Sequence, residues 1–242
     1  MTQTDIINAP GTDEGIWQAW ARINAFPDAG IGDSPSVVIV SAHPDDEVLG
    51  AGGIMAVLAA DGARLRLIEV TDGEASHPDC ADPASLASRR TEETAAALHA
   101  LGVQDAVEVI RLGLPDSGLV AREDELAVRL SELTEGFSLC LAPWEWDMHP
   151  DHDAAGRAAR RMHPRVLGYP IWLWHWAQPD DPRVPWDKAA RFPLPDWAVE
   201  RKRSAIECFA SQMENRGDGT GEPILPADMI AHFTREAEVL MR

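Results

Sequence analysis

Two short stretches of this chain combine histidine and carboxylate at spacings that could do chemistry. His43-Pro44-Asp45-Asp46-Glu47 places one imidazole and three carboxylates within five residues, and Trp144-Glu145-Trp146-Asp147-Met148-His149-Pro150-Asp151-His152-Asp153 repeats the theme further on. Zinc takes imidazole nitrogen and carboxylate oxygen, and a catalytic zinc keeps three protein ligands and one position for water. His43, Asp46 and His152 can supply such a set for one ion per chain; the same set also accepts Fe(II) or Co(II). Asp45 stands beside them as a base for the proton of the attacking water. His149, one helical turn before His152, could face a developing oxyanion, and Asp151 could orient one of the imidazoles. A simpler reading of the first stretch is a helix start, because Asp is a favoured N-cap and acidic residues suit a first turn.

Both stretches follow apolar runs. Val37 to Ser41 and Phe137 to Ala142 read as buried strands, since unbroken runs of this kind suit parallel strands covered on both faces. Between and after them strands and helices alternate. Helix Val48 to Ala60 is followed by strand Arg64 to Val70, helix Ser85 to Ala100, strand Ala106 to Leu112 and helix Asp124 to Leu133. After the second cluster come helix Asp153 to Met162 and an apolar strand, Val166 to Trp174. Glu14 to Phe26 carries apolar residues at helical spacing ahead of the first strand. The expected fold is α/β: a Rossmann-like, open, mostly parallel doubly wound sheet with helices on both faces. In the strand order 3-2-1-4-5 the first and fourth strands adjoin at the switch point, where such sheets bind ligands, so the two clusters would share one crevice.

A chain of 242 residues is long enough for one such unit. The expected organisation is a single domain over 1–242, with a helical extension at 1–30 and C-terminal helices at 196–242 packed on it. A formal charge of −19 argues against nucleic acid or an anionic membrane as partner. Three scattered cysteines, Cys80, Cys140 and Cys208, with no C-x-x-C, fit a reducing cytoplasm better than a disulfide framework. No secretory signal or membrane-length apolar run is evident in the sequence. The expectation is a cytoplasmic protein with a small-molecule substrate, with homo-oligomerisation left open.

The two motifs, in register with their strands, resemble the PIG-L/LmbE-like family of metal-dependent N-acetylsugar deacetylases. The resemblance extends through Thr71-Asp72-Gly73-Glu74, Arg90 and Glu93, Leu114-Pro115-Asp116, Lys202 with Ala205-Ile206, and Ser211-Gln212, covering Val37 to Gln212. It implies hydrolysis of an acetamido group on a glucosamine-type sugar or glycoconjugate, releasing acetate and a free amine. Position by position, it implies His43, Asp46 and His152 as metal ligands, Asp45 as general base and His149 as the residue polarising the amide carbonyl. One position departs: where some members acting on thiol-precursor sugars carry Tyr, this chain has Asp147, which puts a tyrosine-assisted oxyanion hole in doubt. Glu74, Arg90, Trp144, Trp146 and Asp147 are the candidate substrate contacts.

Other features have ordinary readings beside functional ones. His77-Pro78-Asp79 repeats the His-Pro-Asp theme in a loop, as an extra ligand or as a simple turn. Trp172, Trp174 and Trp176 would share one face of an extended strand, as core, as an oligomer contact or as a sugar platform, with His175 on the other face towards the cleft. The rim loops 72–84 and 177–195 would select the aglycone. Competing functions are weaker. Gly50-Ala-Gly-Gly53 is no dinucleotide fingerprint, because it falls inside the expected helix, and a two-metal phosphoesterase calls for bridging acids and basic phosphate contacts. A non-catalytic sugar-binding descendant would be expected to lose Asp45 or a ligand, and none is missing.

Overall fold

The computed structural model describes residues 9–31, 36–77, 80–163, 165–215 and 221–242. Pro78 and Asp79, part of the third His-Pro-Asp tripeptide, lie outside them. The strands are β1 (Ser36–Ser41), β2 (Arg64–Glu69), β3 (Val107–Arg111), β4 (Leu139–Pro143), β5 (Val166–Tyr169), β6 (Ala189–Pro193) and β7 (Ala237–Met241). They form one sheet in the order β3-β2-β1-β4-β5-β7-β6. The first five are parallel, with Val37 opposite both Leu65 and Leu139, while β7 runs antiparallel to β5 and β6. The Rossmann-like order 3-2-1-4-5 is therefore present, and β1 and β4 lie side by side at the switch point.

Alternation along β1 sends side chains to two cores. Val37 and Ile39 join an apolar cluster on one face, and Val38 and Val40 join another on the opposite face. The first face is covered by α2 (Asp46–Ala60), α3 (Pro83–Leu101) and α7 (Asp196–Ile206), the second by α4 (Glu123–Leu133) and α5 (Pro150–Met162). Gly50 on α2 is required by this packing, because a Cβ there would fall within the ring of Tyr169. That ring is pinned by its hydroxyl, which donates to the Val40 carbonyl at 2.6 Å.

Several boundaries differ from the expectation. The N-terminal segment is not one helix: α1 (Glu14–Ala19) gives way at Trp20, whose backbone is extended, to a 3-10 turn, Ala21–Ala25. Strand β5 stops at Tyr169, and Leu173–Trp176 is a helical turn, α6. The expected loop 177–195 contains β6, and the expected helical region 196–242 contains α7, α8 (Ala210–Met213), α9 (Ala227–Ala231) and then β7. β6 and β7 pair antiparallel at one side of the sheet, outside the β-α repeat that marks the other strands in the sequence. Among the described residues no helix is long and apolar enough to cross a membrane.

Candidate active site and metal centre

The first cluster occupies the turn from β1 into α2. Asp46 and Glu47 begin the helix, and Asp45 precedes it at φ 121°, a conformation that costs a non-glycine residue energy and persists only where its surroundings enforce it. The Asp45 side chain makes no capping hydrogen bond, so the helix-start reading does not account for it. Instead it is buried and accepts from Arg90 Nη2 at 3.0 Å. The Arg90 guanidinium also donates to the carbonyls of Gly73, at 3.0 Å, and Pro44, at 2.5 Å. Arg90 therefore positions Asp45, in place of the substrate contact expected of it.

The second cluster occupies the turn from β4 into α5. Met148 takes φ 66°, His149 sits at the helix N-cap, and Asp151 and His152 lie in the first turn. The adjoining strands bring the two turns together. His43 Nδ1 lies 3.2 Å from His152 Nε2 and 3.5 Å from Asp46 Oδ2, and His152 Nε2 lies 3.2 Å from Asp46 Oδ1. The outward ring nitrogens are engaged by carboxylates. His152 Nδ1 is 2.7 Å from Asp147, and His43 Nε2 is 3.3 Å from Asp151 and 3.2 Å from Asp116. The carboxylates are held in turn. Asp151 accepts from the backbone N–H groups of Ser117 and Leu119, and Asp116 from that of Ala75.

This donor set fits a divalent metal. With each outward nitrogen donating to a carboxylate, the inward nitrogens face each other as acceptors across Asp46, an arrangement that a cation resolves. A tetrahedral zinc with ligands at about 2.0–2.1 Å would space its donors by about 3.3 Å, which matches. The electrostatics also call for positive charge. Burial pushes both imidazoles down, yet Asp116, Asp151 and Asp46 raise His43 well above its ordinary value, and Asp46 and Asp147 raise His152 to about 10. His149 differs. Burial, with the neighbouring His152 and His43, pushes it well below its ordinary value, and its Nδ1 is buried without a protein partner. It is neutral, with a ring nitrogen to spare. One ring nitrogen of each of His43, His149 and His152 lies within 4.8 Å of the others, as do one atom each of His43, Asp116 and Asp151, so these groups could also hold an ion. Burial, with Asp46 adding, pushes the Asp45 carboxyl up to about 7 against the pull of Arg90, near the value that suits a base at neutral pH.

The remaining candidates separate. Asp147 is fully buried and contacts no cleft: besides His152 it accepts from the backbone N–H groups of Ile171, Trp172 and Leu173 at 2.9–3.0 Å. Trp144 is 2% exposed and packs in the core, so it is no substrate wall. Trp146, 63% exposed, is free to be one. Glu74 accepts from the Asp116 backbone N–H at 2.9 Å, one residue removed from His43. His175 does not face the cleft: its Nε2 is 2.8 Å from the Ala9 carbonyl, under the N-terminal segment. Asp116 was unassigned in the sequence, although its Leu-Pro-Asp turn at the end of a strand marks it.

The fold and site together define an α/β protein with a histidine- and aspartate-lined site at its switch point that could hold a metal ion. The profile of the family PIG-L: GlcNAc-PI de-N-acetylase matches residues 38–163, and the chain belongs to that family. The 1D-myo-inositol 2-acetamido-2-deoxy-alpha-D-glucopyranoside deacetylase of Kineococcus radiotolerans is 29% identical over 219 residues, 77% of this chain and 58% of that protein. The chain spans about half the length of the curated relatives it matches. Among solved structures, N,N'-diacetylchitobiose deacetylase from Pyrococcus horikoshii superposes with TM-score 0.58 at 20% identity, covering 85% of this chain and 81% of that one. GalB, the 4-carboxy-2-hydroxymuconate hydratase of Pseudomonas putida KT2440, superposes with TM-score 0.58 at 22% identity, covering 83% of each chain. These structural likenesses show the fold alone.

Proposed function

We propose that this protein is a zinc-dependent hydrolase that removes the N-acetyl group from an N-acetylglucosamine-type sugar or glycoconjugate, releasing acetate and the free amine. The observation that carries this reading is the convergence of His43 Nδ1, His152 Nε2 and the Asp46 carboxylate at 3.2–3.5 Å, with Asp45 buried at their side. These three residues would hold the metal, which would supply Lewis acidity for activating water and polarising the amide carbonyl. Asp45 accepts the proton of the water that attacks the acetamido carbon and returns it to the departing nitrogen. A neutral His149 donates a ring N–H to the carbonyl oxygen as charge builds on it. Asp147 and Asp151 fix the tautomer and direction of the two ligand imidazoles. The names of the relatives support the substrate class. Because the same fold also occurs in a hydratase, the reaction rests on the site and its test.

The test is acetate release from N-acetylglucosaminyl compounds with different aglycones, together with elemental analysis of the protein. About one zinc per chain is expected, with activity lost on chelation and restored by adding the metal, and a His152→Ala variant depleted of it. Full metal occupancy in that variant, or chelator-resistant acetate release, would overturn the assignment.

A further inference from the structure

The tryptophan-rich segment after β5 was expected to extend, with all three indoles on one face. It is helical instead: the Trp176 backbone N–H donates to the Trp172 carbonyl at 3.1 Å. Residues four apart share a face of a helical turn, and the residue midway between them lies opposite. Trp174 accordingly turns inward. It is 4% exposed, packs edge-on against Trp17 at 5.2 Å and lies under the Arg235 guanidinium at 4.2 Å. Trp172, half-buried at the margin of the same apolar cluster and edge-on to His175, lies nearly parallel to His149, with 6.4 Å between centroids and 15° between planes. Trp176 is half-buried on the same side, capped by Arg183 at 4.7 Å.

The position of Trp172 is fixed from beneath by Asp147. One oxygen of that carboxylate, Oδ2, meets both His152 Nδ1 and the Trp172 N–H, the latter at 2.9 Å, while the Asp147 carbonyl accepts from Trp176 Nε1 at 3.0 Å. One residue thus sets both a metal-site imidazole and the indole next to His149. Arg183, which lies over Trp176, is paired with Asp181, and Arg90, beside the site, with Asp45. A flat apolar face beside paired cations suits a neutral ring better than a phosphate.

We infer that Trp172 is a specificity-determining residue that stacks on a neutral ring attached to the reacting sugar, an aryl aglycone or a second pyranose, in preference to an anionic substituent. This rests on the function proposed above. Three probes test it: p-nitrophenyl N-acetyl-β-glucosaminide, free N-acetylglucosamine and N-acetylglucosamine 1-phosphate. The zinc-loaded protein should prefer the aryl glycoside over both others by at least about tenfold in kcat/KM, the scale of one good apolar contact. Trp172→Ala should lower the ratio of kcat/KM for the aryl glycoside to that for N-acetylglucosamine by about tenfold, through KM, and Trp172→Phe should recover most of it. An unchanged ratio, or a preference for the phosphate, would overturn the inference. If no probe released acetate, the proposed hydrolysis would fall. Calorimetric binding of the aryl glycoside would still decide the role of Trp172: weakening of about tenfold in Trp172→Ala sustains it, and equal affinity rejects it.

Discussion

The two turns that build the site are put together differently. The turn after β1 is compact and electrostatic: His43, Asp45, Asp46 and Glu47 lie within five residues, and its outside supports are charged side chains, Arg90 from α3 on Asp45 and Asp116 and Asp151 on His43. The turn after β4 is held from a distance. Asp147 ties His152 to the α6 turn, and α6 is bound by the N-terminal segment: Trp17 Nε1 donates to the Trp174 carbonyl at 2.9 Å and Thr12 Oγ1 to the Ala177 carbonyl at 2.6 Å. That segment precedes the part matched by the family profile. On the function proposed above, the first turn supplies the base and two metal ligands, and the second supplies the third ligand, His152, with His149.

Substitution in the first turn should therefore hurt turnover most while sparing the fold. Asp45→Asn keeps size but removes basicity, and turnover should fall by roughly 10²–10⁴-fold, the range for a positioned proton-transfer group. Metal content should stay near one per chain. Asp46→Asn should lose metal first. Acetate-release rates and metal analysis on equal amounts of folded protein check both, and near-native turnover in Asp45→Asn would remove the chemical distinction between the turns.

Arg90→Gln sharpens the same point. Removing the cation that lies 3.0 Å from Asp45 takes away the pull holding its carboxyl down. A base must be deprotonated to act, so the acid limb of the pH–rate profile should move up by about 1–3 pH units, with activity recovered at higher pH. A proportional loss at every pH would instead mark Arg90 as purely structural.

In the second turn, Asp147→Asn leaves an amide that can accept from some of the four donors around Asp147 but opposes others. Metal affinity should drop by about 10–100-fold, as for other residues that orient a ligand. Competition titration with a chelator measures it. Unaltered affinity would mean that His152 needs no remote support.

The same contrast decides what the sequence reveals. β1, β4 and the two clusters are legible because a parallel strand leaves an unbroken apolar run and because catalytic residue types stand out against it. The order β3-β2-β1-β4-β5 follows from the β-α repeat. The α6 turn is hidden in the sequence because Ile171 to Trp176 alternates like a strand. What makes it helical is tertiary: the Asp147 carboxylate caps three successive N–H groups from 24 to 26 residues away. Arg90 and Asp147 look like polar residues near a site, and only the structure shows them buried against other site residues, Arg90 against Asp45 and Asp147 against His152. Asp116 sits in a Leu-Pro-Asp turn legible in the sequence, but only the folded sheet brings it to His43.

The smallest expected effect concerns the anchor of the N-terminal segment. Glu14 on α1 accepts from His232 Nδ1 at 2.7 Å and from Arg235 Nε and Nη2 at 2.8 and 2.6 Å. Burial pushes its carboxyl up, but Arg235 and His232 outweigh that and hold it at about 2, below an ordinary value of 4.5. A carboxyl depressed in the folded state stabilises fully above its unfolded value and loses that contribution as pH falls towards its folded one. Glu14→Gln should therefore lower stability by at most about 3 kcal/mol at pH 7. The gap between variant and unmodified protein should stay level down to about pH 4.5, narrow between 4.5 and 2, and close below. Urea unfolding of the metal-free protein at pH 7, 4 and 3 measures this double difference, in which the titration of the metal-site residues cancels. A gap independent of pH would show that Glu14 holds the segment by packing alone. A loss of metal affinity in Glu14→Gln at pH 7 would extend the remote support of the second turn from α6 to α1.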